Sequence, residues 1–98
     1  MLNIKTRKKL VDCRDFNFKN QIERALLSIM NNIAEGFERK TNNEFKYFLF
    51  IAKGSCGEVR SMLYLAYDLN YLTKKQSKSL YMSSIEISKM ISGFIKKL

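Results

Sequence analysis

The sequence predicts an all-α protein, an antiparallel up-and-down helical bundle of four-helix type with a shortened first helix. Three observations predict it. Apolar residues recur at three- and four-residue spacing through most of the chain. Proline is absent. Capping patterns stand just ahead of the second pair of periodic stretches. The 98 residues make one domain, 1–98, and leave no room for another. A chain this short buries surface only modestly on its own, so self-association is expected from the outset.

The first element, at about 3–13, is the weakest, because Ile4, Leu10 and Val11 give it only a thin apolar edge. Lys5, Arg7, Lys8 and Lys9 cluster there. Asp15 or Asn17 then offers an N-cap. From Phe18 the pattern sharpens. Phe18, Ile22, Ala25, Leu26, Ile29 and Ile33 step by three and four, which predicts a helix over 18–35 with Gly36 as its left-handed C-terminal cap. The short link that follows favours an antiparallel neighbour.

Thr41-Asn42-Asn43-Glu44 reads as a capping box opening the longest helix, 42–69, about 40 Å at 1.5 Å per residue. Its core stripe is Phe45, Phe48, Leu49, Ala52, Cys56, Val59, Met62, Leu63 and Ala66. A second apolar series, Tyr47, Phe50, Ile51, Tyr64 and Leu65, occupies another face. A helix apolar on two sides is central in its bundle or is also an assembly surface. Gly54 and Gly57 each cost about 1 kcal/mol against alanine inside it, and are expected where another backbone comes close. Asn70 suits the left-handed position after the helix. Thr73-Lys74-Lys75-Gln76 is a second capping box, opening a last helix over 74–97 that buries Leu80, Ile87, Ile91, Phe94 and Leu98.

Eighteen Lys and Arg against nine Asp and Glu leave a formal charge of +9, which favours polyanions. Histidine is absent and the two cysteines, Cys13 and Cys56, lie far apart. Zinc clusters, nucleophile–histidine pairs and imidazole acid–base chemistry are thereby excluded, and no enzyme, catalytic residue, metal or cofactor is expected. The basic N-terminus lacks an apolar signal region and no uncharged run matches a membrane span, so a cytoplasmic, membrane-free setting is expected.

At SIMNNIAEGFERKTNNEFKYFLFIAKGSCGE the chain resembles a bacterial four-helix-bundle family first noted in intervening sequences of large-subunit ribosomal RNA genes. The resemblance rests on Ser28, Ile29, Asn32 to Phe37, Arg39, Glu44, Phe45, Phe48, Leu49, Ile51, Ala52, Gly54, Ser55 and Glu58. DLNYL and the C-terminal EISKMISGFIKKL extend it. Met30 stands where the family has proline, Asn31 and Glu38 where it has serine and glycine. The family's long first helix is largely missing ahead of Phe16. The bundle is then completed by the short 2–12 segment, by a neighbouring chain, or by residues ahead of this sequence. The family is similar to the accessory variability proteins of diversity-generating retroelements. That likeness implies a homopentamer that binds nucleic acid and partners a reverse transcriptase.

Asn32, Glu35 and Arg39 can share a helix face if the helix persists past Gly36, and Glu58 can oppose them. Two carboxylates without His, Cys or a third acid make a poor catalytic or metal set, so a packing network is preferred over a ligand pocket. Lys46, Lys53 and Arg60 recur every seven residues, a slowly drifting basic line. Lys75, Lys89 and Lys96 are spaced alike on the last helix. The expected function is a non-enzymatic, basic, homo-oligomeric accessory that binds RNA or DNA through Lys46, Lys53 and Arg60, with Lys5, Arg7, Lys8 and Lys9 as a second patch. The alternative is a protein-binding scaffold with no nucleic-acid role.

Overall fold

The computed structural model describes residues 15–98, which form three helices and no strand: α1 Phe16–Phe37, α2 Asn42–Asp68 and α3 Lys74–Lys97. The all-α class agrees with the sequence. The first element at 3–13, with Lys5, Arg7, Lys8 and Lys9, lies outside the described residues. No described helix is long and apolar enough to cross a membrane.

Local chemistry sets the helix ends. Asp15 caps α1, its carboxylate accepting from the Phe18 amide at 3.0 Å. The same carboxylate accepts from the Tyr71 hydroxyl at 2.7 Å, tying the start of α1 to the α2–α3 turn. The Phe18 amide first, then the Tyr71 hydroxyl, hold the Asp15 carboxyl below the usual carboxylate range. Thr41 Oγ1 accepts from the Glu44 amide at 3.2 Å, but the Glu44 carboxylate makes no return bond, so this box is only half formed. The Thr73–Gln76 box is complete, with bonds of 3.1 and 3.0 Å. Asn70 is left-handed, with φ of 62°. Around it the Tyr71 amide donates to the Ala66 carbonyl and the Asn70 amide to the Tyr67 carbonyl, a Schellman turn that satisfies the last carbonyls of α2.

Helix α2 lies between the other two. Both α1 and α3 pack along it, while no Cα of α1 comes within 8 Å of one of α3. One stripe of α2 therefore serves both neighbours: Leu49, Ala52, Cys56, Val59, Leu63 and Ala66 are all buried. Facing them are Phe18, Ile22, Ala25, Leu26 and Ile29 from α1, with Leu80 and Ile91 from α3 and Leu72 from the turn. Each fully buried Ile or Leu stabilises by about 1.5–3 kcal/mol relative to exposure. The second stripe of α2 is uncovered: Tyr47, Phe50, Tyr64 and Leu65 are exposed. Phe94, expected in the core, is 48% exposed.

Three glycine expectations are corrected. Gly36 is not a left-handed cap, for α1 continues through Phe37 and no glycine has positive φ. It is buried where α1 meets α2, and a Cβ there would stand 2.9 Å from Phe45 Cδ1 and 3.4 Å from Phe48 Cβ. Gly57 is not a packing glycine, since only the Arg60 Nη2 atom of its own helix lies within 4 Å of the place its Cβ would take, and nor is Gly54, where nothing does. Gly54 sits on the outer face of α2, whereas its neighbour Ser55 turns inward. Gly36→Val should therefore lower unfolding free energy by about 1–3 kcal/mol through overpacking. Gly54→Ala should raise it by up to about 1 kcal/mol through helix propensity. Urea unfolding of both variants checks this, and a Gly36→Val protein as stable as the parent would show that the close approach is dispensable.

Candidate nucleic-acid interface

Helices α2 and α3 run antiparallel with a groove between them, about 520 Å³ in volume. The α2 wall supplies Lys53 and Arg60, one helical heptad apart, and the α3 wall supplies Lys89 and Lys96 with the same spacing. Equal spacing on antiparallel helices lets two basic lines share one groove. Ser88, Ser92 and Tyr81 add hydroxyls, Ile85 an apolar contact and Gly93 a gap in the wall. No acidic residue lines it. The three lysines are exposed, and Arg60 is half-buried. The Arg60 Nη1 atom is buried and has no hydrogen-bond partner. Its positive charge works against the rise that burial imposes on the neighbouring Cys56 thiol.

The expected line of Lys46, Lys53 and Arg60 is thus partly regrouped. Lys53 and Arg60 enter the groove together with Lys89 and Lys96, while Lys46 and Lys75 are not among its lining residues. Tyr64 and Tyr81 meet edge to face at 5.3 Å across the α2–α3 interface, so Tyr81 is held by packing as well as lining the groove. Among the described residues no group of three or more His, Cys, Asp or Glu could hold a metal ion.

The polar residues of the central motif separate into two sets. Arg39 pairs with the Glu35 carboxylate, donates from Nε to the Glu35 carbonyl at 3.3 Å, and lies over the Phe48 ring at 5.1 Å. This surface clasp ties the α1–α2 link to α2. Asn32 instead turns to the helix interface. Its Nδ2 donates to the Ser28 carbonyl at 2.7 Å and to Ser28 Oγ at 3.1 Å. Ser28 Oγ lies 2.9 Å from Ser55 Oγ, and Ser55 Oγ donates to the Ile51 carbonyl at 3.2 Å. Each serine has one hydroxyl proton, so the chain runs one way: Asn32 to Ser28, Ser28 to Ser55, Ser55 to the α2 backbone. Glu58 is exposed and bonds to none of these residues, and Glu44 remains at the start of α2. The roles of Ser28 and Ser55 were not read from sequence. The i, i+4 pair Ser28 and Asn32 was the available sign, but its partner on α2 is set by register.

Between α1 and α3 lies an apolar groove of about 410 Å³, which shares no lining residue with the basic one. Met30, Ile33, Leu49, Ile87, Met90 and Ile91 are among its lining residues. Phe37, Phe45 and Phe94 close one end, with ring centroids 4.9 to 6.0 Å apart.

A family profile described as 23S rRNA-intervening sequence protein matches residues 2–93. The chain is also similar to a crystal structure of a protein of unknown function from the S23 ribosomal protein family of Bacteroides thetaiotaomicron. That likeness has a TM-score of 0.86 and 30% identity, and covers 96% of this chain and 88% of the other. No curated protein matches the chain at a significant level.

The serine contact has a measurable signature. Ser28→Ala or Ser55→Ala alone should cost about 1 kcal/mol or more, because each leaves a polar partner unsatisfied. The double variant should lose less than the two costs combined, with a coupling of at least about 0.5 kcal/mol in a double-mutant cycle by denaturant unfolding. Strict additivity would mean that the two hydroxyls act independently.

Proposed function

The chain belongs to the 23S rRNA-intervening sequence protein family, and from its surface we propose a non-enzymatic, homo-oligomeric accessory that binds nucleic-acid phosphates in the α2–α3 groove. One observation carries this reading: Lys53, Arg60, Lys89 and Lys96 converge on a groove with no lining carboxylate. A merely solvated basic surface has no need to gather cations from two helices without counterions. The contacts are to phosphate, so binding is largely independent of sequence, and RNA and DNA are both ligands. The resemblance to accessory variability proteins adds a reverse transcriptase as protein partner.

Assembly is part of the same proposal. Tyr47, Phe50, Tyr64 and Leu65 leave an apolar face on α2 uncovered. The gap between α1 and α3 is where a further helix would complete a four-helix bundle. Copies arranged in a ring repeat the basic groove, so individually weak phosphate contacts add through multivalency. Five copies follow from the resemblance alone. The scaffold reading keeps one supporting observation, the apolar groove between α1 and α3.

Two measurements test the proposal. Native mass spectrometry at micromolar concentration should show a closed oligomer. A stable monomer would refute assembly, and four or six copies would retain it while rejecting five. For binding, a variant with Lys53, Arg60, Lys89 and Lys96 all replaced by glutamine should fold and assemble normally yet bind more weakly. Its log–log salt slope should be shallower by about 0.9 per lost duplex contact or about 0.7 per single-strand contact. A control with Lys46 and Lys75 replaced should change the slope less. If the unaltered protein shifts neither structured RNA, single-stranded DNA nor duplex at low salt, the nucleic-acid reading falls and the scaffold reading replaces it.

A further inference from the structure

Arg60 differs from the lysines that share its groove. Lys53, Lys89 and Lys96 are exposed, and an ammonium there is solvated whether or not a ligand is present. The Arg60 guanidinium is drawn back between α2 and α3, with Nη2 placed 3.5 Å from where a Cβ on Gly57 would lie. At that distance a side chain at position 57 would be in van der Waals contact with it, so Gly57 leaves this flank open. Nη1 is out of reach of water and bonded to nothing. No carboxylate forms an ion pair with Arg60 among the described residues. A buried, unpaired N–H on a charged group is costly, and the cost is relieved when the guanidinium turns outward into the groove that Arg60 lines and meets an anion there. The hydroxyls of Ser88 and Ser92 line the same groove and can donate to oxygens of that anion.

We propose that Arg60 is a fixed seat for one phosphate group, gripped by the planar fork of the guanidinium with Ser88 and Ser92 beside it. The exposed lysines then attract neighbouring phosphates without fixing them. This deepens the nucleic-acid reading and rests on it for the source of the phosphate, since a polynucleotide backbone, a terminal phosphate and free phosphate share the chemistry the seat recognises. The seat requires shape as well as charge. A lysine in place of Arg60 keeps the charge but loses the two parallel N–H donors.

The discriminating comparison is Arg60→Lys with Arg60→Gln, titrated with a short oligouridylate at fixed ionic strength. Both variants should bind about tenfold more weakly or worse, with lysine giving little rescue. If Arg60→Lys binds like the parent while the fourfold glutamine variant does not, the seat is refuted and the diffuse basic groove stands. A second measurement needs no variant. Inorganic phosphate, against chloride at equal ionic strength, should raise the melting temperature and shift the Arg60 Nε–H resonance saturably. Identical responses to the two anions would refute the seat even if the Arg60 variants failed to fold. If phosphate moves Arg60 but no oligonucleotide binds, the seat stands and the nucleic-acid reading fails.

Discussion

The close approach of α1 to α2 at Gly36 is the constraint on which the rest of the molecule depends. The glycine has no side chain, so Phe45 and the Cβ of Phe48 can stand directly against the α1 backbone. With the helices this near, the hydroxyls of Ser28 and Ser55 can touch, and small residues such as Ala25 and Ala52 suffice to fill the seam between them. The same approach brings Phe37 and Phe45 together and leaves their rings able to meet Phe94 from α3. A single missing Cβ thus sets the spacing of one interface and the closed end of the apolar groove.

Much of the fold was legible because its signals are local. The capping bonds at Asp15, Thr41, Thr73 and Asn70 each close within a few residues, where spacing alone can foretell them. The glycines were misread because their meaning is not local. A glycine after an apolar run looks the same whether it ends a helix or lets a neighbour approach, and only the Phe45 ring decides between them at Gly36. At Gly54 the cluster of small residues was visible, but one position along the helix is about 100° around it. That rotation separates inward Ser55 from outward Gly54. The two basic lines were readable singly. Their meeting depends on the antiparallel register of α2 and α3, and the stranded nitrogen of Arg60 depends on side-chain placement that no periodicity encodes.

Among the described residues, grooves of opposite character lie on either flank of α3. The one between α2 and α3 is basic and hydroxyl-bearing, whereas the one between α1 and α3 is walled by Met, Ile, Leu and Phe. Both follow from a helix that is packed on two sides. Where α3 lies along α2, long cationic side chains frame the seam while their stems cover it. Where α3 stands away from α1, apolar residues face one another across a gap. The same three helices thus present apolar side chains in one groove and cationic ones in the other.

Each outer helix is built from contacts with a sequence neighbour, and this has a kinetic consequence. Formation of the α1–α2 hairpin closes only a short link, as does that of α2–α3, so the loop-closure entropy paid before contacts are gained is small. Such low contact order places the described bundle among fast folders. Because α2 supplies half of both interfaces, neither hairpin can exist without it, and its buried stripe stabilises both. The Tyr71–Asp15 bond joins residues far apart in the chain. Tyr71 is held by the C-terminal turn of α2, so the bond needs only α1 closed on α2, and it latches that hairpin at the end remote from its connecting link.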